Sequence, residues 1–350
     1  MTTGDYARAA VLIRKGDATK AFAIEDRPIP DPAPGEVRVL VSVFGLNFAD
    51  VLARLGLYPD APPRPCVLGY EIAGVVDAVG ADVVGIERGV RVCAFTRFGG
   101  YATHVVAPAV GVMPLPDAVD LETAAALPVQ FGTAWYSAEE MVRMHDGDAV
   151  LIQAAAGGVG GALVQIAKAR GARVLGTAGG PEKTALLRDL GVDHPIDYRT
   201  QDFAGIAREQ CPQGLDVVFD SLGGSAFRRG LRLLAPGGRM VSFGVARMAG
   251  RRASLLRSVS AVAGFGWPHP LSLLSSSRGI IGVNMLRVAD ARPQALRRSL
   301  AEVLHRITDG RLRARIDRVF DIADLAAAHD RLGLRRSAGK VLVRWPRRVS

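Results

Sequence analysis

Asp148-Ala149-Val150-Leu151-Ile152-Gln153-Ala154-Ala155-Ala156-Gly157-Gly158-Val159-Gly160 is the stretch whose reading decides the fold. An apolar run of strand length leads into small residues and then into a helical pattern over Val159 to Ala169. Small residues let the backbone turn tightly and approach a pyrophosphate. The helix N-terminus behind them offers free N–H groups and a partial positive charge. Ala155 stands where the first glycine of the usual fingerprint falls, and Gly157 and Gly160 hold the other two places. Ala149 to Ala167 carries no charge, but Gln153, Gln165 and the glycines between them argue for a buried strand, turn and helix and against a membrane span.

Working outward, the runs Arg173 to Thr177, His194 to Asp197, Asp216 to Asp220, Arg239 to Phe243 and Ile280 to Val283 join Ala149 to Gln153 as six predicted strands. Helical segments separate the first five, which is the pattern of a doubly wound parallel α/β sheet. Ahead of them the texture differs. Ala9 to Ile13, Val37 to Phe44, Glu71 to Val79, Arg91 to Phe95 and Tyr101 to Ala107 are short β-type runs broken by Gly and Pro, as in a mainly β domain. A helix near Gln294 to Thr308 and β-type runs at Arg315 to Phe320 and Lys340 to Arg344 form a tail expected to return to that domain. Residues 1–126 and 285–350 are therefore assigned to a catalytic domain and 127–284 to a nucleotide-binding domain. Between Ala246 and Ser277 the alternation stops, and this stretch is expected to be an active-site cover, a dimer contact or plain decoration.

The chain has 350 residues, 49% hydrophobic and 22% charged, enough for two ordinary domains. Three dispersed cysteines exclude a disulfide framework or a cysteine-rich metal site and fit a reducing compartment. With an N-terminus unlike a signal peptide, the expected location is cytoplasmic. The net charge of +10 is uneven: −4 before residue 175 and +14 after it. Because the arginines are dispersed and few aromatic residues accompany them, the excess reads as solvated helices around an anionic cofactor. A nucleic-acid partner is not favoured.

The strand after the glycine turn ends Gly176-Thr177-Ala178-Gly179-Gly180, without the carboxylate that NAD binders set against the ribose hydroxyls. Lys183, Tyr198 and Arg199 follow nearby, and cationic and phenolic donors suit a 2′-phosphate. The expected cofactor is NADPH. Glu182, the one contrary residue, is accounted for by the dipole of the helix it begins.

The order of a β domain, a nucleotide fold opened by Ala155-Ala156-Gly157-Gly158-Val159-Gly160 and a returning tail resembles the medium-chain dehydrogenase/reductase superfamily over essentially the whole chain. Gly45-Leu46-Asn47-Phe48-Ala49-Asp50, Arg54-Leu55-Gly56-Leu57-Tyr58 and Leu68-Gly69-Tyr70-Glu71-Ile72-Ala73-Gly74 look like its zinc-free quinone oxidoreductase branch. The stretch from Pro270 to Asn284 is similar to the vesicle amine transport protein subgroup. The resemblance implies a GroES-like mainly β catalytic domain beside a Rossmann domain, and a homodimer. Asn47 and Tyr70 stand where the zinc alcohol dehydrogenases carry a cysteine and a histidine, and the cysteines of their structural zinc lobe are missing, so no metal is expected.

The resemblance further implies that Asn47 and Tyr58 lie beside the nicotinamide, with Thr133 on its carboxamide. Lys183, Tyr198 and Arg336 would hold the adenosine phosphate. Ala156, Gly157, Gly158, Val159, Gly160, Gly179, Ser221, Phe243, Gly244, Val245 and Asn284 would complete the cofactor site. Tyr58 and Asn47 can each donate to a carbonyl of a quinone or enone, although Asn47 could instead serve a loop backbone and Tyr58 a domain edge. Asp50 is assigned an orienting role. The expected activity is metal-independent NADPH-dependent reduction of a quinone or enone. The alternatives are reduction of an enoyl thioester or biosynthetic intermediate, and a low-turnover NADPH-binding protein acting through partner contacts.

Overall fold

Val37, Val39, Val41 and Val43 alternate with Glu36, Arg38, Leu40 and Ser42, and this period of two decides which face of the strand is buried. The computed structural model describes residues 6–246, 264–266 and 268–346 and encloses all four valines. The chain divides into two units, residues 1–132 with 285–350 and residues 133–284.

The first unit begins with β1 (Tyr6–Leu12), β2 (Phe22–Pro28), β3 (Glu36–Leu46), β4 (Cys66–Val67), β5 (Glu71–Val79), β6 (Arg91–Phe95), β7 (His104–Pro108) and β8 (Val112–Pro114). The second contains β9 (Ala149–Ile152), β10 (Arg173–Ala178), β11 (His194–Asp197), β12 (Leu215–Asp220), β13 (Leu234–Ser242) and β14 (Gly279–Gly282). The chain then returns to the first unit through the helix Pro293–Thr308, β15 (Ile316–Asp321) and β16 (Lys340–Arg344). There β16 pairs antiparallel with β3, Val341 opposite Leu46. The seven-stranded sheet runs β15-β16-β3-β5-β6-β8, with β7 also on β3, and a smaller sheet is ordered β2-β1-β4. Phe44, Leu46, Leu68, Ile72, Tyr101 and Val343 belong to the core of this GroES-like unit.

Residues 127–132 group with the first unit for a visible reason. The π-helical turn Leu127–Phe131 offers the Val129 N–H to Glu71 Oε2 at 2.8 Å, and Gly132 lies against Leu300.

In the second unit all the strand pairings are parallel, in the order β11-β10-β9-β12-β13-β14. This is the doubly wound nucleotide-binding order. The four residues of β9 are buried without alternation, as a central parallel strand covered on both faces requires. Boundaries differ from the sequence reading by one residue in most cases. β13 departs most, starting five residues earlier at Leu234 through Pro236-Gly237-Gly238, where a register shift intervenes, and β1 starts three residues earlier, at Tyr6. β7 starts at His104, not Tyr101, because Tyr101 turns into the core and its carbonyl accepts from Ala10 N at 2.8 Å. Of the 246–277 stretch, residues 247–263 and 267 lie outside the described residues, and Pro270–Ser276 is a helix with Leu271 and Leu274 exposed.

Gly160 is fixed by contact. A Cβ there would stand 2.3 Å from the Ala154 carbonyl oxygen and 2.7 Å from Ala155 Cα. At Gly161 the nearest atom would be 3.7 Å away. Gly160→Ala is therefore expected to lower unfolding stability by about 2 kcal/mol through forced backbone movement. Gly161→Ala is expected to be neutral or to stabilise by up to about 1 kcal/mol through helix propensity. Denaturant unfolding of the two variants checks this, and equal effects would remove the close-approach argument.

Candidate active site

In the first unit the helix Phe48–Leu55 starts at Asn47, and Asp50 reaches back to accept the Asn47 backbone N–H at 2.8 Å. The other Asp50 oxygen accepts Gly69 N at 3.1 Å, tying the helix start to the loop before β5. Asn47 and Asp50 thus form a capping box, and the Asn47 side chain also has partners outside the helix. Its Nδ2 donates to Glu71 Oε1 at 2.7 Å, and its Oδ1 accepts from Lys340 Nζ at 2.8 Å. Lys340 also pairs directly with Glu71 Oε1. Both charged side chains are wholly enclosed, at 0% exposure. Gly45 makes room for them, since a Cβ there would meet Lys340 Cε at 2.5 Å and Glu71 Oε1 at 2.7 Å.

The low dielectric acts on each ionisable group. Burial lowers the Lys340 pKa, and the charge of Glu71 and the hydrogen bond to it oppose the shift. Asp50, also enclosed, is pushed up to about 7 by burial, against the backbone N–H bonds and the Lys340 charge that favour its ionised form.

Two phenols adjoin this cluster. Tyr58 is half-buried, and burial followed by the charges of Asp60 and Asp50 pushes its hydroxyl up to about 12, so it remains a donor at neutral pH. Tyr70 meets it edge to face with ring centroids 6.2 Å apart, and its ring is 5.1 Å from Phe98. The Tyr70 hydroxyl is buried beside that of Tyr58.

In the second unit Gly157 caps the helix Gly158–Ala169 in an extended conformation, and no side chain occupies the first-turn N–H groups. At the end of β10, the Asp197 carboxylate accepts Gly180 N and Arg199 N, each at 3.0 Å. These backbone bonds hold its pKa below the usual carboxylate value. They also draw Tyr198 and Arg199 over bare backbone. A Cβ on Gly179 would fall 2.7 Å from the Tyr198 hydroxyl, and one on Gly180 would fall 3.1 Å from an Arg199 guanidinium nitrogen. Lys183 lies in the first turn of the helix Pro181–Asp189. A helix N-terminus open to a pyrophosphate, with phenolic and cationic donors at the next strand end, fits a 2′-phosphorylated dinucleotide.

The structure thus brings Asn47 together with Asp50, Glu71 and Lys340, and groups Gly179 with Tyr198 and Arg199. Ser221 and Gly244 also adjoin, the Ser221 carbonyl oxygen standing 2.8 Å from where a Gly244 Cβ would be. Phe243 N donates to Asp220 O at 3.0 Å. Thr133 is buried in the second unit, whereas Arg336 belongs to the first, on an exposed turn where its N–H donates to Arg331 O at 3.0 Å. Sequence reasoning assigned no role to Glu71 or Lys340. No local signal pairs them: Glu71 opens β5, which also carries Asp77, and Lys340 opens β16, which also carries Arg344. Among the described residues, no group of three or more His, Cys, Asp or Glu is arranged to hold a metal ion.

Two family models match the chain: an alcohol dehydrogenase GroES-like domain over residues 33–117 and a zinc-binding dehydrogenase over residues 190–343. The human synaptic vesicle membrane protein VAT-1 homolog is 35% identical over 343 residues, 96% of this chain and 86% of that protein. A phenolphthiocerol/phthiocerol polyketide synthase of Mycobacterium tuberculosis is 37% identical over 346 residues, 98% of this chain but 15% of that protein. Among solved structures, the CurK enoyl reductase has a TM-score of 0.85 at 28% identity, covering 98% of this chain and 100% of its own. A Pseudomonas syringae quinone oxidoreductase (32% identity) and the mycobacterial Rv1454c complexed with NADPH (30%) each reach 0.84, covering 97% of this chain and 99% of theirs.

The Asp50 carboxyl gives the site a pH signature. Below its ordinary value of 3.8 the folded and unfolded chains are both protonated at this residue, so its burial cost is absent. Between there and about 7 the unfolded chain ionises first, and the folded state loses stability by at most about 1.4 kcal/mol per pH unit. Above about 7 the loss is complete. Relative to the parent, Asp50→Asn is therefore expected to gain in melting temperature as pH rises from 4 to about 7, with a plateau beyond. Parallel thermal melts across pH check this, and a difference independent of pH would mean that Asp50 is ionised throughout.

Proposed function

The chain belongs to the medium-chain dehydrogenase/reductase superfamily and is an NADPH-dependent oxidoreductase, and we propose that it acts without zinc on a quinone or an α,β-unsaturated carbonyl. The observation that carries this reading is the donor set of the first unit: an amide at Asn47, and at Tyr58 a phenol that stays protonated at neutral pH. Neither Asn47 nor Tyr70 is a good zinc ligand. Bound NADPH supplies the hydride. Tyr58 and Asn47 donate to the acceptor oxygen as negative charge builds on it. The quinone oxidoreductase among the similar structures supports the substrate class.

Lys183 and Tyr198 hold the 2′-phosphate in this reading, with Arg199 beside them and Arg336 and Gly179 contributing. Ala156, Gly157, Gly158, Val159 and Gly160 take the pyrophosphate. Thr133, Ser221, Phe243, Gly244, Val245 and Asn284 line the remainder. β14 ends its sheet with Ile280 and Ile281 half-buried, and this edge, unpaired among the described residues, is the surface for a homodimer. No helix among the described residues is long and apolar enough to cross a membrane, and the three cysteines are free and buried. Both fit a cytoplasmic location.

A second reading, reduction of an enoyl thioester, is favoured by the polyketide synthase and by the CurK enoyl reductase. Purified protein mixed with NADPH and a quinone, an enone or a 2-enoyl thioester separates the readings. NADPH consumption with a quinone or enone, unchanged by a zinc chelator, is the expected result. Consumption with the thioester alone would transfer the assignment to the second reading, and binding without consumption would leave a low-turnover NADPH-binding protein. Lys183→Ala is expected to weaken NADPH binding by about 1–3 kcal/mol and leave NADH nearly unchanged, as loss of a charge-assisted bond requires. Equal weakening of both, measured by fluorescence titration, would sink the phosphate assignment.

A further inference from the structure

We infer that Lys340, together with Glu71, is a positioning residue that holds the Asn47 side-chain amide in one orientation and leaves a single amide hydrogen for the substrate. The inference rests on the reading that Asn47 serves a carbonyl acceptor. The three side chains close a ring. Lys340 Nζ bonds Asn47 Oδ1 at 2.8 Å, Asn47 Nδ2 bonds Glu71 Oε1 at 2.7 Å, and Lys340 bonds the same Glu71 oxygen. Closing it engages the Nδ2 hydrogen on the same side as Oδ1. The second Glu71 oxygen is held by Val129 N at 2.8 Å, so the carboxylate has no freedom to swing.

An amide reversed within this ring would set its NH2 group against an ammonium and its carbonyl against a carboxylate. Two repulsions would replace two attractions in a site where both charges are fully enclosed. One orientation is therefore selected. Gly45 protects the arrangement, since any side chain there would displace Lys340 or Glu71. The remaining donor is the Nδ2 hydrogen trans to Oδ1. An acceptor oxygen satisfies it, as the carbonyl of a quinone, enone or thioester does. Lys340 acts through Asn47 and does not itself reach the acceptor.

The chain contains two asparagines, Asn47 and Asn284, so selective 15N-asparagine labelling yields two side-chain NH2 pairs, and Asn284→Gln assigns them. In the full chain with NADPH, the Asn47 hydrogen on Glu71 is expected to be separated in shift from its partner and protected from solvent exchange. The double substitution Lys340→Met with Glu71→Gln removes both charges together, and it is expected to reduce that protection at least tenfold. It should lower kcat at least tenfold while leaving NADPH affinity within about twofold. In an Asn47→Ala background the same double substitution is expected to have no further effect on kcat, whereas a merely structural role would lower kcat in both backgrounds. Equal loss in the two backgrounds, or an Asn47 amide that exchanges freely in the unsubstituted chain, would overturn the inference. The second of these needs no variant to fold. If the unsubstituted chain reduces no acceptor, the proposed function fails while the exchange measurement still decides the amide's orientation.

Discussion

An ammonium and a carboxylate are enclosed together in the first unit, and each is tolerated there because the other is present. Removing one partner of such a pair typically costs about 3–5 kcal/mol, since the survivor is left as an uncompensated buried charge. The meeting of Lys340 with Glu71 therefore constrains much around it. It fixes where β16 must lie, with Val341 opposite Leu46 on β3. It requires the bare Cα of Gly45 on the neighbouring strand, and it supplies two further partners for the Asn47 side chain. Asp50 completes the capping box from its side by accepting the Asn47 backbone N–H.

The second unit is organised by a different constraint. Its central strand β9 is buried on both faces, and at its turns backbone approaches backbone closely. Gly160 against Ala154, and Gly179 under Tyr198, are places where one methyl group would collide with neighbouring protein atoms. Asp197 is the electrostatic element here. Bonded to two backbone N–H groups, it stays ionised and shapes the loop that carries the exposed Tyr198 and Arg199.

What the sequence revealed, and what it hid, follows from the range of the interactions involved. The parallel sheet was legible because uninterrupted apolar runs such as Val150-Leu151-Ile152 alternate with helical periods. The glycine turn was legible because its geometry is local. β2 was missed because this strand, Phe22–Pro28, is only half-covered and carries Glu25, Asp26 and Arg27. The two residues of β4 are too short to leave a period. Asn47 and Tyr58 became candidates through the family resemblance of the segments around them, but neither the partners of Asn47 nor the raised pKa of Asp50 could be read there. Those depend on Lys340, 293 positions from Asn47, and on burial that no local window reports.

The sequence separation of Lys340 from Glu71 also bears on how the protein is made. Residues 133–284 form a continuous unit whose parallel strands can pair as soon as they leave the ribosome, whereas the first 132 residues lack β15, β16 and the helix between them. Until those arrive, the Glu71 carboxylate lacks Lys340 as its counter-ion, and the Val43 to Leu46 end of β3 is without its β16 partner. The nascent N-terminal segment therefore carries apolar surface that stays uncovered until the C-terminal strands are made. That waiting segment, more than the finished enzyme, is where a chaperone would find its substrate.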